Sequence, residues 1–434
     1  MPELSEWIRT NPLMVLGALL ATAGVLLGAW SVLKRPADVR NESAGFVAEE
    51  PTPKKKPKRE AATVSWPMYG FDRARTRNLQ VNIPGPFKRI WRYGDKTLLE
   101  FPPIYAKGRL WLIDNDARVF SFDADTGKIL WQKKVGRLNA SSPAYQKGFI
   151  YLVNLEPGQV MKLDADTGKT VWRRSLPGRS ESSPVIRKNT LYLGCENGEL
   201  FALSTKTGRT KWTAALGGAI KAAPALSRGI LYVGDYGGKM NAVSAKTGEL
   251  KWQSSSQGSG FGTGGPFYST PAVAFGRVFS GNNDGRIYSY DTSDGALAWS
   301  RSTGGYVYSG PAVTKTKKTP PTVFIGSFDG NIYALNAKTG STRWSKPVGG
   351  QVIGSLTVLG ETVYIAEFTN TTTLGYNTRS GRQVFRYPTG TYTPVITDGK
   401  RIYLTGYSSL HALQPVKGKK QGGKASRQAR NRTG

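Results

Sequence analysis

A 13-residue pattern recurs along most of this 434-residue chain, at intervals of 40 to 47 residues. Residues 119–131 read VFSFDADTGKILW, and each copy has a glycine four residues before its closing aromatic residue. The closing residues are Trp131, Trp172, Trp212, Trp252, Trp299, Trp344 and Phe385, preceded by Gly127, Gly168, Gly208, Gly248, Gly295, Gly340 and Gly381. Self-similarity at this period is typical of stacked or radial repeat architectures, so a conventional single-core domain is excluded.

Each copy predicts two β-strands joined by a tight turn. The segment Phe120-Ser121-Phe122-Asp123 alternates large apolar with small or polar residues, as a strand with two different faces requires. Asp123 can accept backbone N–H bonds in an Asx-type turn, and Gly127 supplies the positive φ that closes a hairpin. The tryptophan then lies on an outer strand, where we expect its ring to bury roughly 150–250 Å² against the neighbouring unit.

Two further strands precede this pair in each period. One follows a Ser-Ser-Pro sequence or a relative of it, as at Ser141–Pro143, and the next is rich in Tyr and Val, as at Ile150–Leu152. Four short antiparallel strands in about 40 residues form one blade of a β-propeller.

Counting the outer strands predicts eight blades. Trp91 precedes Trp131 by the same period, whereas the strands predicted over 391–397, 401–405 and 410–413 lack a fourth partner. We expect residues 87–93 to supply it, which closes the ring and leaves no open sheet edge. The predicted fold is therefore all-β: an eight-bladed β-propeller of four-stranded antiparallel blades over residues 63–415, closed by its N- and C-terminal strands.

The motif Ala-Asp/Lys-x-Gly-x-x-x-Trp resembles the tryptophan-docking repeat of pyrroloquinoline-quinone-like eight-bladed propellers. It stands at Ala165–Trp172, Ala245–Trp252 and Ala337–Trp344. That family includes the quinoprotein alcohol dehydrogenases and the propeller lipoprotein of the outer-membrane barrel-assembly machinery, and the chain resembles the lipoprotein more. The resemblance implies the fold and a bacterial envelope setting; activity has to be argued from a site.

The N-terminal region predicts a membrane segment. After a short flank, residues 1–12, the 21 residues from Leu13 to Leu33 carry no charge, close to the ~20 that a transmembrane helix needs. The alternative is a cleaved signal peptide, whose apolar core is usually shorter, so an uncleaved signal anchor is favoured. The segment and the linker after it contain no Cys, so a lipidated N-terminal Cys, as in the assembly lipoprotein, is excluded.

Two arguments about orientation disagree. Lys34, Arg35 and Arg40 follow the apolar segment, whereas only Arg9 precedes it, and this bias alone would keep the propeller cytoplasmic. Relatives of the repeat work outside the cytoplasmic membrane, and long domains can be exported despite flanking charge. We expect a single-pass protein of the cytoplasmic membrane with an extracytoplasmic propeller.

Two basic segments flank the propeller. Residues 34–62, rich in Pro and Lys, predict a disordered linker that either is a solvated spacer or binds anionic headgroups. Residues 416–434 have seven basic and no acidic residues and predict a disordered tail.

The net charge of the chain is +31, and residues 61–415 alone carry +22. Such a charge attracts anionic polymers, anionic lipid or acidic proteins. No nucleic-acid-binding motif accompanies it, so we expect no specific nucleic-acid partner.

Few residues are available for catalysis. The chain has one Cys, Cys195, and one His, His411, which excludes internal disulfides and the usual zinc sites. Both lie in predicted strands and are interpreted as packing residues. The resemblance implies that quinoprotein dehydrogenases hold their quinone over the ring axis with Ca²⁺, a basic residue and a catalytic Asp, several with a disulfide of adjacent Cys residues. This sequence cannot form that disulfide and shows no cluster of oxygen ligands, so we expect no metal, no cofactor and no enzyme activity.

The axial mouth of the ring is the candidate binding site, because residues just before each inner strand converge there. The candidates are Asn139, Arg179, Glu181, Lys221, Tyr268, Tyr306, Tyr308 and Tyr392. The alternative is that these are ordinary loop polar residues.

The sequence thus predicts a membrane-anchored, monomeric, non-enzymatic propeller that binds an envelope protein or another ligand. A quinone-dependent redox enzyme or quinone sensor is one alternative, and a binder of cell-wall glycan or anionic polymer is another.

Overall fold

Eight β-sheets form a closed ring in the computed structural model, which describes residues 36–48, 64–258, 264–393 and 395–416. Seven blades each take four consecutive strands, and the eighth combines the last three strands with β2. All pairings within the blades are antiparallel; β1 adds to blade seven as a parallel fifth strand. The predicted all-β, eight-bladed architecture is confirmed.

The strands have the following bounds. Before blade one come β1 (Asn78–Leu79) and β2 (Phe87–Gly94). Blades one and two contain β3 (Ile104–Ala106), β4 (Arg109–Ile113), β5 (Arg118–Asp123), β6 (Ile129–Lys134), β7 (Ala144–Gln146), β8 (Phe149–Asn154), β9 (Gln159–Asp164) and β10 (Thr170–Ser175). Blades three and four contain β11 (Val185–Arg187), β12 (Thr190–Gly194), β13 (Glu199–Ser204), β14 (Thr210–Ala215), β15 (Ala225–Ser227), β16 (Ile230–Gly234), β17 (Lys239–Ser244) and β18 (Leu250–Ser255).

The second half of the ring repeats this plan. Blades five and six contain β19 (Ala272–Ala274), β20 (Arg277–Gly281), β21 (Arg286–Asp291), β22 (Leu297–Ser302), β23 (Ala312–Thr314), β24 (Thr322–Gly326), β25 (Asn331–Asn336) and β26 (Thr342–Pro347). Blades seven and eight contain β27 (Thr357–Leu359), β28 (Thr362–Glu367), β29 (Thr372–Asn377), β30 (Gln383–Tyr387), β31 (Ile396–Thr397), β32 (Ile402–Thr405) and β33 (Ser409–Pro415).

The ring closes as the sequence predicts. Strand β2 is the outer strand of blade eight and pairs with β33, with Trp91 opposite Ala412. The first long strand of the propeller therefore completes the last blade, and no blade is left with three strands.

The repeated tryptophan and glycine form one joint between adjacent blades. The Trp131 indole Nε1–H donates to the Ala165 carbonyl at 3.1 Å, and Trp91, Trp299 and Trp344 bond in the same way to the blade that follows each. Gly168 lies against the Trp131 ring with φ 70°, and a Cβ there would come within 2.8 Å of the ring. The glycine is required both for its positive φ and for close approach of the indole.

One end of the axis is crossed by an extended segment that the sequence analysis did not find. Residues 66–79, here called the axial thread, contact the inner strands of successive blades. Trp66 bridges Tyr105 of blade one, and the Pro67 carbonyl accepts from Tyr145 N–H of blade two. Further along, the Ala74 carbonyl accepts from blade five, the Thr76 carbonyl from blade six and the Arg77 carbonyl from blade seven.

Two arginines of the axial thread are fully buried. Arg75 and Arg77 have positive φ values of 58° and 52°, and their side chains turn toward main-chain carbonyls. Arg75 donates to the carbonyls of Tyr69, Ser183 and Pro224. These bonds connect the thread to blades three and four and compensate for the lost hydration of the guanidinium group.

Residues 36–48 differ from the disordered linker predicted over 34–62. This segment, here called the strap, runs along the outer strand of blade five. Asn41 N–H donates to the Ala298 carbonyl at 2.7 Å, and Ser300 N–H donates to the Val39 carbonyl at 3.0 Å. Asp38 accepts from Ser302 N–H at 2.8 Å and pairs with Arg301 at 3.1 Å. The residues of β22 that bond to the strap are the small residues Ala298 and Ser300, so the main chain of the strap can approach this sheet edge closely.

The other predicted terminal segments lie outside the described residues: the flank 1–12, the membrane segment Leu13–Leu33, the remainder of the linker and residues 417–434 of the tail. Across the part of the chain that the structure describes, no helix has the length and apolarity needed to cross a bilayer.

Candidate functional site

The end of the axis opposite the axial thread opens as a mouth. Its walls come from the residues just before each innermost strand, because every blade begins there. In six blades the wall residue lies three positions before the proline of the Ser-Ser-Pro-like motif. The residues at this position are Glu100, Ala140, Glu181, Lys221, Tyr268 and Tyr308, and all of them except Ala140 line the cavity described below. The repeat holds one backbone position constant while the side chain at that position varies from blade to blade.

A cavity of about 100 Å³ occupies the mouth. Of the eight predicted site residues, the structure brings five together in its lining: Glu181, Lys221, Tyr268, Tyr308 and Tyr392. Tyr69 and Ser355 also line the cavity and are joined by a hydrogen bond of 2.6 Å between their hydroxyls.

Lys221 is the centre of an ion-pair cluster. Its Nζ lies 2.6 Å from Glu181 Oε1 and 3.4 Å from Glu196 Oε1, and 5.5 Å from the centroid of the Tyr236 ring. Burial lowers the pKa of Lys221, but the hydrogen bond and charge of Glu181, with Glu196, outweigh it and raise the pKa overall. Lys221 therefore carries its positive charge inside the mouth, where the carboxylates of Glu181 and Glu196 balance it.

Glu100 is a wall residue that the sequence reasoning missed. Its Oε2 accepts from Asn115 Nδ2 at 3.2 Å, and among the described residues it forms no ion pair. Burial, with a smaller contribution from the charge of Glu181, raises the pKa of Glu100 to about 7. Glu100 stands three residues before Pro103, so aligning the prolines would have found it; Phe101 and Pro102 hide the motif in blade one.

Aromatic rings form the other side of the mouth. Tyr308 makes edge contacts with Tyr268 at 5.3 Å and with Phe328 at 4.8 Å between ring centroids. Tyr268 OH donates to Glu181 Oε2 at 3.1 Å, which links the rings to the ion pair. Tyr306 stacks on Tyr308 at 5.9 Å but lies at the rim, with 54% of its surface exposed.

Asn139 and Arg179 do not line the cavity. Asn139 is buried and donates to the Ser141 carbonyl at 2.9 Å, because Ala140 occupies the wall position of blade two. Arg179 is exposed, and its carbonyl accepts from Glu196 N–H. Asn139 thus has a structural role, and Arg179 lies outside the wall.

Cys195 and His411 are buried, as their interpretation as packing residues predicts. The Cys195 thiol donates to the Arg179 carbonyl at 3.2 Å, and burial raises its pKa. His411 lies in blade eight within hydrogen-bond distance of Tyr387 OH and Ser409 Oγ, and burial lowers its pKa to about 4.

A second cleft opens beside the mouth between blades six, seven and eight. It has a volume of about 770 Å³ and is lined by Phe328, Phe368 and Tyr407, with Gln351 and Thr369 among its polar groups. Tyr407 is 57% exposed. Together with Tyr306 it gives this end of the ring an accessible aromatic surface.

The ring, its docking tryptophans and its open mouth define a propeller of the pyrroloquinoline-quinone-like class. The family model described as outer membrane protein assembly factor BamB matches residues 88–223, 209–318 and 309–433. The chain therefore belongs to this family. No curated protein matches the sequence.

Several solved structures share the fold. BamB from Moraxella catarrhalis is 18% identical with a TM-score of 0.63, covering 76% of this chain and 100% of that one. A europium-containing methanol dehydrogenase is 12% identical with a TM-score of 0.69, covering 81% and 98%. A quinohemoprotein alcohol dehydrogenase from Comamonas testosteroni is 15% identical with a TM-score of 0.66, covering 82% and 81%.

The residues at the mouth do not fit a quinone–metal centre. The described residues contain no group of three or more His, Cys, Asp or Glu side chains placed to hold a metal ion. Of the two carboxylates that line the cavity, Glu181 is already paired with Lys221. A hard cation such as Ca²⁺ requires about six to eight converging oxygen ligands, and this wall does not supply them.

Proposed function

We propose that this protein is a non-enzymatic scaffold that binds a partner protein at a bacterial cell envelope. Membership of the BamB family supports it, because the family description names an assembly factor. The solved dehydrogenases share the fold at low identity, and a fold alone does not carry an activity.

The observation that carries the proposal is the aromatic surface around the mouth. Tyr306 and Tyr407 are more than half exposed, and the rings of Tyr308 and Phe328 pack against Tyr306. Tyrosine is enriched in the central residues of protein interfaces, because a rigid ring buries much area at little entropic cost. We propose that the partner covers this surface.

The membrane anchor is part of the same proposal. Residues 13–33 would hold the protein in the cytoplasmic membrane by a single pass, with the propeller on the extracytoplasmic side. The support is the uncharged sequence of that segment and the envelope setting that the family name indicates. A C-terminal reporter that is active only after export tests the orientation, and a silent reporter on a well-expressed fusion contradicts it.

Photo-crosslinking in intact cells tests the scaffold. A photoreactive residue replaces Tyr306 or Tyr407, and matched controls replace Val171 or Leu250, which are similarly exposed but lie on outer strands. We expect a discrete protein adduct from the two mouth positions only. Equal adducts at Val171, or none at Tyr306 and Tyr407, would refute the assignment of this surface.

A quinone-dependent redox enzyme is the alternative that the dehydrogenase folds favour. A tight ligand stabilises by roughly 2.7 kcal/mol at about 100 times its dissociation constant. A saturable rise in melting temperature on adding pyrroloquinoline quinone with Ca²⁺ would support the enzyme and displace the scaffold proposal.

The net charge favours a third partner class, an anionic polymer. The carboxylates at the mouth do not favour its binding there.

A further inference from the structure

The mouth differs in charge from the rest of the molecule. The chain as a whole carries +31, yet the charged residues that line the cavity are Glu100, Glu181 and Lys221, and Lys221 also pairs with Glu196. The charges of Glu181 and Glu100 add to burial in raising the pKa of Tyr268. The cavity lining therefore carries two carboxylates against one ammonium group, and the carboxylate of Glu100, which has no ion-pair partner among the described residues, disfavours anions at the mouth.

One part of the mouth already holds an ammonium group. Lys221 lies between the carboxylates of Glu181 and Glu196 and within 5.5 Å of the Tyr236 ring centroid. An ammonium in such surroundings is stabilised by charge and by the negative face of the ring. This cluster shows in the protein itself which kind of group the mouth accommodates.

The opposite part of the mouth provides the same chemistry without a cation from the described chain. Glu100 has only the neutral Asn115 amide as a hydrogen-bond partner and lies beside Phe101 in the cavity wall. Glu100 and Tyr392 line the same cavity, and the charge of Glu100 adds to burial in raising the pKa of Tyr392. Burial makes an isolated carboxylate costly, and a cation brought from outside would remove that cost.

The buried arginines do not neutralise Glu100. Arg75 is held by main-chain carbonyls, and neither Arg75 nor Arg77 lines the cavity. Arg77 lies 5.2 Å from the centroid of the Tyr69 ring, and Tyr69 lines the cavity whereas Arg77 does not. The guanidinium beneath Tyr69 disfavours a second cation there, so we place the incoming cation beside Glu100.

We propose that the mouth binds an organic cation, an ammonium or guanidinium group on a short aliphatic chain, with Glu100 as its counter-ion. Tyr268, Tyr308 and Tyr392 provide the aromatic walls. The cavity of about 100 Å³ has room for roughly three water molecules at the ~30 Å³ that each occupies in the liquid, which suits a chain of a few methylene groups. A Lys or Arg side chain of a partner protein and a free amine present the same chemistry. The first source rests on the proposed scaffold function.

Calorimetric titration of the full-length protein in detergent tests this site. The probes are 1,5-diaminopentane and the blocked amino acids N-acetyl-lysine methylamide and N-acetyl-arginine methylamide, with 1,5-pentanediol as the neutral control. The variant Glu100→Gln keeps the size of the side chain and an oxygen for Asn115. Glu249→Gln is the matched control, because Glu249 is an exposed acid in the turn before β18, away from the mouth and paired with Lys251.

We expect saturable binding of at least one cationic probe and none of the diol. Binding should weaken at least roughly tenfold in Glu100→Gln and stay unchanged in Glu249→Gln, because a charged hydrogen bond is worth about 1.5–3 kcal/mol. No saturable binding of any cation, equal binding by Glu100→Gln, or equal binding of the diol would overturn the proposal.

Comparing the probes in the titration and in the crosslinking experiment distinguishes the two sources of the cation. Binding of a blocked amino acid that also suppresses crosslinking from Tyr306 indicates a partner side chain, whereas binding of the diamine alone indicates a small amine. The titration needs no partner and the crosslinking needs no amine. Failure of the cation site and failure of the scaffold proposal are therefore separate results.

Discussion

The two ends of the propeller axis are built from the same repeat but are stabilised in different ways. At the closed end, main-chain groups of the axial thread bond to main-chain groups of successive blades, and the two arginines donate to carbonyls. At the open end, side chains of different type meet around a cavity. Backbone bonds depend little on side-chain identity, so the closed end supports the fold, whereas the open end is free to vary in chemistry.

The largest effect that this comparison predicts is at the closed end. Arg75→Met leaves the Ser183 and Pro224 carbonyls without their donor, and we expect a loss of about 3–5 kcal/mol in the free energy of unfolding. Urea unfolding followed by tryptophan fluorescence measures it. Arg73→Met removes a single partly buried bond to Ile186 and should cost clearly less. Equal losses would mean that the thread is not anchored mainly by Arg75.

A change of opposite sign is expected at the open end. The pKa of Glu100 is raised from 4.5 to about 7 in the folded protein. Its penalty is therefore absent below pH 4.5, grows as the pH rises to 7 and is constant above that. Glu100→Gln should raise the free energy of unfolding at pH 8 by up to roughly 3 kcal/mol.

The same variant should not change stability at pH 4, where both side chains are neutral. The groups around Glu100 are Glu181, Lys221, Tyr268 and Tyr392, and of these Glu181 raises its pKa. A difference between wild type and variant that is the same at pH 4 and pH 8 would contradict the assignment.

The strap gives a smaller effect. Asp38→Ala removes the bonds to Ser302, the pair with the partly exposed Arg301 and the pair with the buried Arg286, which keeps its bonds to Gln257 and Ser300. We expect a loss of about 1 kcal/mol and faster amide exchange at Asn41 and Ser300, with the rest of the ring unchanged. Slow exchange at both amides in the variant would show that Asp38 does not hold the strap.

The smallest effect on stability should come from the rim. Tyr306→Ala is expected to change the free energy of unfolding by no more than about 0.5 kcal/mol, because the side chain is mainly exposed. It should nevertheless abolish crosslinking from Tyr407. Persistent crosslinking in a folded variant would separate Tyr306 from the partner surface.

The sequence predicts the elements of the fold that belong to the repeat, but it does not predict the segments that lie outside the repeat. The blades, their number and the pairing of residues 87–93 with the last strand follow from the spacing and pattern of the repeat. The axial thread has no periodic partner, so nothing in residues 66–79 indicates that Arg75 and Arg77 would be buried. The strap is not predicted, because a Pro- and Lys-rich composition such as that of residues 34–62 is typical of a disordered linker.

The candidate site is predicted only in part, because only those residues that keep the register of the repeated motif can be identified from the sequence. Glu181, Lys221, Tyr268 and Tyr308 share one register and were found together, whereas Glu100 was missed because Phe101 replaces the motif's Ser. Asn139 was one residue out of register, and Ala140 takes the wall position. Charge and burial, which decide the pKa of Glu100, depend on groups from distant blades and cannot be read from a local motif.

The axial thread has a consequence for the order in which the molecule matures. Residues 66–94 leave the ribosome before every blade that they contact, yet the outer-strand place of Trp91 exists only once β33 has been synthesised. Strand β2 therefore has no partner strand until β33, the last strand of the propeller, has been synthesised. A chain that stops before β33 would display β2 without its partner strand, so the ring closes only after its last strand has been synthesised.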